Sequence, residues 1–346
     1  MKILICGAGI GGLYAGNILT QKGHEVVIIE KSGGNLERGF ALIIWSNGFR
    51  MLEKIGKVDA VRAVGTPAPR SHTEDANGKT LVDIDFSDVG IEIRQIVARR
   101  DIRNILIKDL DIQWNTTIKK LYTKGDATNV IFNNGREEYF DLIVAADGIH
   151  SRLRSSMIPS IRSRSMGWHG WWFWTDPLVD YSDCIFSIDS DDKSGLVFPA
   201  TDSTKACAYF IVRDASRTES GNSPDSVRKQ FGGMGEAASR IMSHLHDQRE
   251  IFLHKIETVI APEWYRDSIV LLGDAAHAAS PVSGIGASLA MEDGYVLAEE
   301  LDSTNPLPAA LKQYQKRRVL RAAAAQVEKT TREMRDFYKD FLDSPI

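Results

Sequence analysis

The first thirty residues combine two short apolar runs with one stretch of helical spacing. Residues 2–6 and 26–30 are the apolar runs, and residues 11–22 have the helical spacing, followed by Gly23 where a C-terminal cap belongs. Strand, helix and strand within about 30 residues is the pattern of a βαβ unit. Such units form parallel sheets that are buried on both faces. The pattern therefore predicts an α/β fold.

The pattern changes in the middle of the chain and returns near its end. Residues 71–85 contain Asn77 and Gly78, a pair typical of a β-hairpin turn, and residues 161–261 alternate and are rich in aromatic residues, with a helical period only at 224–246. Residues 141–146 and 269–272 are again buried-strand runs, and residues 101–110 and 287–301 have helical spacing. Residues 308–341 predict a long helix with an apolar stripe of Leu320, Ala324, Val327, Met334, Tyr338 and Phe341.

These changes predict a discontinuous Rossmann-like α/β domain with an inserted, mostly antiparallel β-sheet domain and a long C-terminal helix. We assign residues 1–70, 95–160 and 262–305 to the first domain, 71–94 and 161–261 to the second, and 306–346 to the helix. A ligand cleft between the two domains is expected.

Composition narrows the class of protein. With 346 residues, 43% of them hydrophobic and 25% charged, the chain has the balance of a globular protein of about two domains. A net charge of −4 argues against a nucleic-acid partner. Cys6, Cys184 and Cys207 are too widely spaced for a disulfide framework or a close metal-ligand cluster. No apolar run reaches the roughly 18 residues of a membrane span, and no signal-peptide pattern is found. We therefore expect a cytoplasmic protein without a metal or membrane partner, either a monomer or a homodimer.

The first turn predicts a dinucleotide. Gly7, Gly9 and Gly12 fit the pattern G-x-G-x-x-G between the first predicted strand and helix. Gly7 permits the tight turn, Gly9 lets a pyrophosphate approach the backbone, and Gly12 lets the helix pack against the strand. The helix start offers free N–H groups and a positive dipole end. Glu30, at the end of the next strand, is placed to accept hydrogen bonds from an adenosine ribose and disfavours the 2′-phosphate of NADP. The turn alone leaves NAD and FAD open.

Two further motifs follow predicted strands. Asp147 and Gly148 follow the run at 141–146, and Gly273 and Asp274 follow the run at 269–272. Ligands of open parallel sheets bind at the carboxyl ends of the strands. The sequence therefore places both motifs where the glycine turn also lies.

The glycine turn, the Asp147–Gly148 motif and the Gly273–Asp274 motif together resemble a known family. Over about residues 1–325, the three motifs in this order resemble the single-component flavoprotein aromatic hydroxylases, the FAD monooxygenases with the para-hydroxybenzoate hydroxylase fold. Arg99, in Arg-Arg-Asp-Ile, matches the Arg-x-Asp-Leu element of that family, and Tyr314 with Arg317 or Arg318 resembles its Tyr-x-x-Arg element.

The resemblance implies a tightly bound FAD. Its contacts would fall on Gly7, Gly9, Ile10, Gly11, Gly12, Glu30, Lys31, Arg38, Arg99, Asp147, Asp274, Pro281, Gly284, Ile285, Gly286, Ala287 and Ser288. Asp274 would bind the ribityl chain, and Asp147 would help to build the pyrophosphate and pyridine-nucleotide side. Arg38 and Arg99 would place positive charge near the phosphates and the middle of the cofactor. Residues 281–288 would lie against the flavin ring, where the positive end of a helix beginning near Ala287 would stabilise the anionic reduced flavin.

Several of these residues have plainer interpretations. Asp147 and Asp274 could be caps on the turns after buried strands, and Arg38 could be a surface residue. His277 is best interpreted as a structural hydrogen-bonding residue beside the cofactor rather than as an acid–base group. Ser288 stands where many members of the family have Asn or Gly.

An aromatic stretch suggests the substrate pocket. Strand alternation puts Trp172 and Trp174 on one face, and Trp171, Phe173 and Thr175 on the other. A core needs only one such face, so the first could stack a flat substrate, although a core on both faces is the alternative.

Other residues join the predicted pocket. Phe198 and Pro199 match the family's pocket wall facing the flavin, and Trp45 is a further candidate. The stretch also partly resembles the W-x-W-x-I-P element of flavin-dependent halogenases, with Asp176 in place of Ile.

The predicted function follows from the resemblance. An FAD-dependent monooxygenase would take electrons from NADH or NADPH as a transient co-substrate and, with O2, hydroxylate an aromatic or polycyclic small molecule through a flavin hydroperoxide. Alternatives are a flavoenzyme of the same scaffold with another outcome (a halogenase, reductase or cyclase), a non-catalytic flavin-binding protein, or an NAD-dependent dehydrogenase. No nucleophile motif or metal-spaced His/Cys set is found, so the catalytic side chains are left unassigned and the cofactor would carry the chemistry.

Overall fold

A parallel sheet forms the centre of the fold. The computed structural model describes residues 1–34, 40–89, 94–124, 127–202, 205–245, 251–303, 305–326, 341, 342, 344 and 346. Within them the central sheet has the strands β1 (Lys2–Cys6), β2 (Glu25–Ile29), β8 (Ile112–Gln113), β12 (Leu142–Ala145), β18 (Tyr265–Arg266) and β19 (Ile269–Leu271). Their spatial order is β18–β19–β12–β1–β2–β8, and every neighbouring pair except β18–β19 is parallel. Leu4 and Val144 are fully buried, as expected for a parallel sheet covered on both faces.

A second, larger sheet is almost entirely antiparallel. It contains β5 (Arg70–Asp75), β6 (Thr80–Asp85), β13 (Arg164–Thr175), β14 (Cys184–Asp189), β15 (Lys193–Asp202), β16 (Lys205–Arg213) and β17 (Phe252–Thr258). Their order is β17–β13–β16–β15–β14–β5–β6, and only the β14–β5 pair is parallel. The Asn77–Gly78 turn joins β5 to β6 as predicted.

Two three-stranded sheets complete the β structure of the described residues. One contains β3 (Ala41–Trp45), β4 (Thr66–Pro67) and β7 (Arg94–Ala98), and the other is a meander of β9 (Ile118–Lys124), β10 (Ala127–Phe132) and β11 (Glu137–Phe140). A hydrogen bond from the Ala41 amide to the Cys207 sulfur, 3.5 Å long, joins β3 to the larger sheet.

Helices cover the sheets. They are α1 (Ile10–Gln21), α2 (Ser46–Lys54), α3 (Val58–Val64), α4 (Arg99–Ile107), α5 (Arg152–Met157), α6 (Pro224–Phe231), α7 (Glu236–Ser243), α8 (Asp274–His277), α9 (Gly286–Leu301) and α10 (Leu307–Ala325). Helices α6 and α7 pack on the face of the larger sheet that carries Trp171 and Phe173. Within the described ranges, no helix combines the length and apolar character needed to cross a membrane.

The fold class is confirmed, with two local differences. The helical period at 224–246 is two short helices, α6 and α7. The apolar stripe predicted for the last helix is wrong at Leu320, which is 78% exposed. Helix α10 instead buries the face that carries Tyr314 and Arg318, because Arg318 forms ion pairs inside the core. Val327, Met334 and Tyr338 of that stripe lie outside the described residues.

Candidate functional site

The glycine turn joins β1 to α1 and leaves one side open. A Cβ on Gly7, where φ is +115°, would lie 2.3 Å from the Ala146 carbonyl oxygen, and a Cβ on Gly12 would lie 2.1 Å from the Gly7 oxygen. Both positions therefore require glycine, because backbone occupies the space of a side chain. A Cβ on Gly9 would meet no atom within 4 Å. The first N–H groups of α1, at Ile10, Gly11 and Gly12, have no partner within the helix and lie at this open side.

Glu30 holds the outer part of the turn. Its Oε2 accepts a hydrogen bond from the Ala8 amide at 2.9 Å, and Oε1 accepts from the amide and hydroxyl of Ser32 at 3.0 and 2.8 Å. Burial alone would raise the pKa of Glu30, but these donors outweigh it and hold the pKa below its ordinary value. Glu30 is therefore an anchored carboxylate beside the turn, and Lys31 next to it is exposed.

Arg103 lies against the turn and was missed by sequence reasoning. Its side chain is 7% exposed, its Nε donates to the Ala8 carbonyl at 3.2 Å, and its guanidinium lies 5.2 Å from the Trp114 ring centre. Its Nη2 is buried without a partner among the described residues. A buried donor without a partner is costly, so this nitrogen is suited to an anion above the turn. The spacing in the sequence indicated this residue, because Arg103 lies one helical turn after Arg99, the exposed first residue of α4, and therefore on the same face of the helix.

Asp147 is both a cap and an open acceptor. Its Oδ2 accepts hydrogen bonds from the amides of Arg152 and Leu153 at 2.8 and 3.4 Å, so it caps the start of α5. Its Oδ1 is buried without a partner among the described residues. The capping interpretation therefore accounts for one oxygen of the carboxylate and leaves the other available.

A second arginine missed in the sequence connects two motifs. Arg154 is 2% exposed, and its Nη1 and Nη2 donate to the carbonyls of Ala275 and Ile149 at 3.0 and 2.6 Å. Ile149 follows the Asp147–Gly148 motif, and Ala275 follows Asp274. Arg154 therefore fixes the distance between the two strand ends.

The Gly273–Asp274 turn continues into the single helical turn α8. Asp274 is exposed at its start, while His277 at its end is 4% exposed and stacks on the Trp264 ring at 5.1 Å. His277 Nε2 lies 2.5 Å from Asp293 Oδ2. Burial lowers the pKa of His277, but the Asp293 carboxylate outweighs it and raises the pKa overall. This geometry favours the structural interpretation of His277.

Arg317 and Arg318, the two arginines that follow Tyr314, lie in different surroundings. Arg318 is fully buried, and its Nε donates to Asp293 Oδ1 at 2.7 Å, whereas Arg317 pairs near the surface with Glu299 and Glu300. Burial would raise the pKa of Asp293, but His277 and Arg318 outweigh it and lower the pKa to about 2.

The loop at 281–288 lies on β3. Trp45 Nε1 donates to the Gly284 carbonyl at 3.2 Å, and a Cβ on Gly284 would lie 2.7 Å from Ile43 Cδ1. A Cβ on Gly286, the first residue of α9, would meet no atom within 4 Å. Trp45, which is 3% exposed, therefore holds the loop against β3.

The other predicted residues of this loop differ in exposure. Pro281 is exposed and Ala287 partly buried, whereas Ile285 and Ser288 are fully buried. A Cβ on Gly48 would lie 2.5 Å from the Ser288 hydroxyl, so that side chain faces the core between α2 and α9.

An aromatic wall lines the face of the larger sheet toward the loop. We use this name for Phe40, Trp172, Trp174, Phe198 and Tyr209. The Trp172 ring stacks on Tyr209, Phe40 and Phe198 with centre distances of 4.1, 5.5 and 6.0 Å. Trp172 and Trp174 are partly exposed, whereas Phe198 is 5% exposed and Pro199 after it is buried. The wall shares one apolar cluster with Val282 and Ile285 of the loop.

The topology brings the predicted strand ends together. The motifs at Gly7, Glu30, Asp147 and Gly273 follow β1, β2, β12 and β19, which are neighbours in the order β19–β12–β1–β2. With about 4.8 Å between strands, they span roughly 14 Å of one sheet edge. Arg38 lies outside the described residues. Free amides, the unpaired nitrogen of Arg103 and the open space at Gly9 fit the phosphates of a dinucleotide. The described residues contain no group of three His, Cys, Asp or Glu side chains able to hold a metal ion.

The chain is similar to known flavin-dependent proteins. A family model described as "FAD binding domain" matches residues 1–330. A flavin-dependent monooxygenase from an unknown prokaryotic organism is 28% identical over 90% of this chain and 84% of its own length. The FAD-dependent urate hydroxylase of Klebsiella pneumoniae is 26% identical over 92% of this chain and 86% of its own. The crystal structure of Klebsiella pneumoniae HpxO with FAD and uric acid has the same fold, with a TM-score of 0.84 at 22% identity over 99% of this chain and 93% of that one.

Proposed function

The chain belongs to the FAD binding domain family and is a flavoprotein monooxygenase, and on that premise we propose that it uses NADH or NADPH and O2 to hydroxylate an aromatic or polycyclic small molecule. The observation that carries the proposal is that the sheet edge with the dinucleotide motifs and the aromatic wall belong to one region of the fold. Four strand ends with dinucleotide motifs form one sheet edge, and the aromatic wall shares an apolar cluster with the loop at 281–288.

The sheet edge supplies the FAD contacts in this proposal. The first amides of α1 and the guanidinium of Arg103 bind the pyrophosphate, and Glu30 accepts hydrogen bonds from the ribose. Asp274 accepts hydrogen bonds from the ribityl hydroxyls. The open backbone at Gly286 lets the loop approach a flat ring, and the positive end of α9 stabilises negative charge there.

Bound FAD supplies the electron transfer between the nicotinamide nucleotide and O2. The protein orients the substrate and excludes water from the reacting centre. Trp45 and Ile43 help to exclude water by holding the loop at 281–288 against β3.

The aromatic wall supplies the substrate contact. Trp171 and Phe173 already fill the core under α6 and α7, so the opposite face of β13 is not needed for that core. Trp172 and Trp174 remain partly exposed on it. Stacked indole rings bind flat, apolar molecules, and a stacked aromatic pair contributes about 0.5–1.5 kcal/mol beyond its buried area. The urate hydroxylase relative acts on a flat heterocycle, which supports the same class of substrate here.

The test is a screen of aromatic compounds with the purified flavoprotein. A substrate should accelerate NADH or NADPH oxidation, consume O2 and give a product heavier by one oxygen atom. Trp172→Leu should raise KM by about two- to tenfold, and Trp172→Phe, which keeps a ring, should stay near the wild type. Turnover that requires a halide would contradict the proposal. So would a rate of NADH or NADPH oxidation that no aromatic compound changes.

A further inference from the structure

Helix α8 is too short to hold its own shape. It contains four residues, from Asp274 to His277. The first turn of a helix fixes several backbone angles for a single hydrogen bond, so an isolated turn is unstable. Yet this turn carries Asp274, which the proposed function places on the ribityl chain. Its position must therefore come from tertiary contacts.

One carboxylate oxygen ties both ends of α8. Asp293 Oδ2 accepts a hydrogen bond from the Gly273 amide at 2.9 Å, immediately before the helix, and lies 2.5 Å from His277 Nε2 at its end. Asp293 is fully buried. In such surroundings a hydrogen bond to a charged group is short and strong.

The second oxygen of Asp293 fixes the orientation of the carboxylate. Arg318 Nε donates to Oδ1 at 2.7 Å, and Arg318 Nη1 lies 2.9 Å from Glu292 Oε2. Glu292 in turn accepts hydrogen bonds from Arg321 at 2.6 Å and from Asn47 at 2.8 Å. Helices α2, α9 and α10 thus hold Asp293 in place, and Asp293 holds α8.

We propose that His277 and Asp293 are positioning residues that set Asp274 for the cofactor. This inference rests on the proposed contact between Asp274 and FAD. Neither His277 nor Asp293 is exposed enough to touch the cofactor itself. Their effect passes through the two ends of α8 to the carboxylate of Asp274.

The test is a double-mutant cycle on FAD affinity. FAD is titrated into the full-length apoprotein, and the dissociation constant is read from the quenching of flavin fluorescence. His277→Phe keeps a ring against Trp264 and removes the donor, whereas His277→Gln keeps a donor that reaches Asp293. Each is made alone and together with Asp274→Ala, and the melting temperature of each apoprotein is measured alongside.

We expect His277→Phe to raise the Kd of FAD about tenfold and His277→Gln to stay within about threefold of the wild type. In the Asp274→Ala background, His277→Phe should change the Kd by less than about twofold, because the side chain through which it acts is already lost. Its effect on the melting temperature should be the same in both backgrounds.

Two results would overturn the positioning role: equal fold-changes in Kd in both backgrounds, or His277→Gln as weak as His277→Phe. An unchanged Kd in Asp274→Ala alone would instead refute the proposed ribityl contact, and the positioning role with it. If His277→Phe does not fold, His277→Asn takes its place in the cycle, since its shorter amide does not reach Asp293.

Discussion

Adding a methyl group at Gly9 should weaken FAD binding strongly without disturbing the fold. A Cβ at this position meets no protein atom within 4 Å, and the backbone, with φ −77° and ψ 176°, is allowed for alanine. The space it enters is the one proposed for the pyrophosphate. Gly9→Ala therefore tests the binding of FAD in a protein whose fold is unchanged.

The expected change in apoprotein stability is small. Replacing the glycine at the start of α1 by alanine weakens the cap by about 0.5–1 kcal/mol. Restricting the unfolded chain returns about 0.4–1 kcal/mol. The two terms nearly cancel, so the melting temperature of the apoprotein should stay close to that of the wild type.

The expected change in FAD affinity is large. A methyl group that displaces a phosphate from one amide donor removes a charge-assisted hydrogen bond worth about 1.5–3 kcal/mol. At about 1.4 kcal/mol for each tenfold change, the Kd of FAD should rise about 12- to 140-fold. Fluorescence titration of the apoprotein measures it directly.

Gly233→Ala is the matched control. It lies between α6 and α7, far along the chain from the glycine turn, and a Cβ there also meets no atom within 4 Å. It should leave the Kd of FAD unchanged and raise the melting temperature slightly, because the unfolded chain is restricted without the loss of a helix cap. If Gly9→Ala binds FAD as tightly as Gly233→Ala, the pyrophosphate does not lie where we place it.

Three further predictions follow from the site. Asp274→Ala should be purified without flavin, as judged by its visible absorbance, and full occupancy would refute the ribityl contact. Arg103→Met should raise the Kd of FAD about tenfold, because the buried nitrogen proposed to bind the pyrophosphate is removed; an unchanged Kd would show that this arginine serves the core alone. Glu30 has a pKa held below its ordinary 4.5, so the stability it contributes is complete above pH 4.5 and is lost as the pH falls through the lower folded-state value. Melting temperatures between about pH 6 and pH 3 should therefore fall less in Glu30→Gln than in the wild type, and parallel curves would contradict this.

The strand ends of the cofactor site could be predicted because two local signals coincide there. Each continuous apolar run ends in a small or acidic residue that cannot continue it, as at Gly7, Asp147 and Gly273. The order of the strands could not be read in the same way. That β19 lies beside β12 depends on pairing between residues more than a hundred positions apart, which no local pattern records.

The buried ionic residues were harder to recognise. Asp293 and Arg318 look like ordinary polar positions on helices, and only their partners in the fold show that both are fully buried. The same cause misled the prediction for Leu320. An apolar stripe was assumed to face the core, whereas α10 turns its Arg318 face inward to meet Asp293 and leaves Leu320 in solvent.

The order of strands in the central sheet has a consequence for the synthesis of the protein. The glycine turn is synthesised within the first dozen residues, but two other strand ends at the same edge of the sheet come from residues 142–145 and 269–271, and Asp293 follows later still. A nascent chain thus carries an incomplete nucleotide site through most of its translation. We therefore expect flavin to bind late, and the yellow colour of a preparation to report that distant parts of the polypeptide have already assembled.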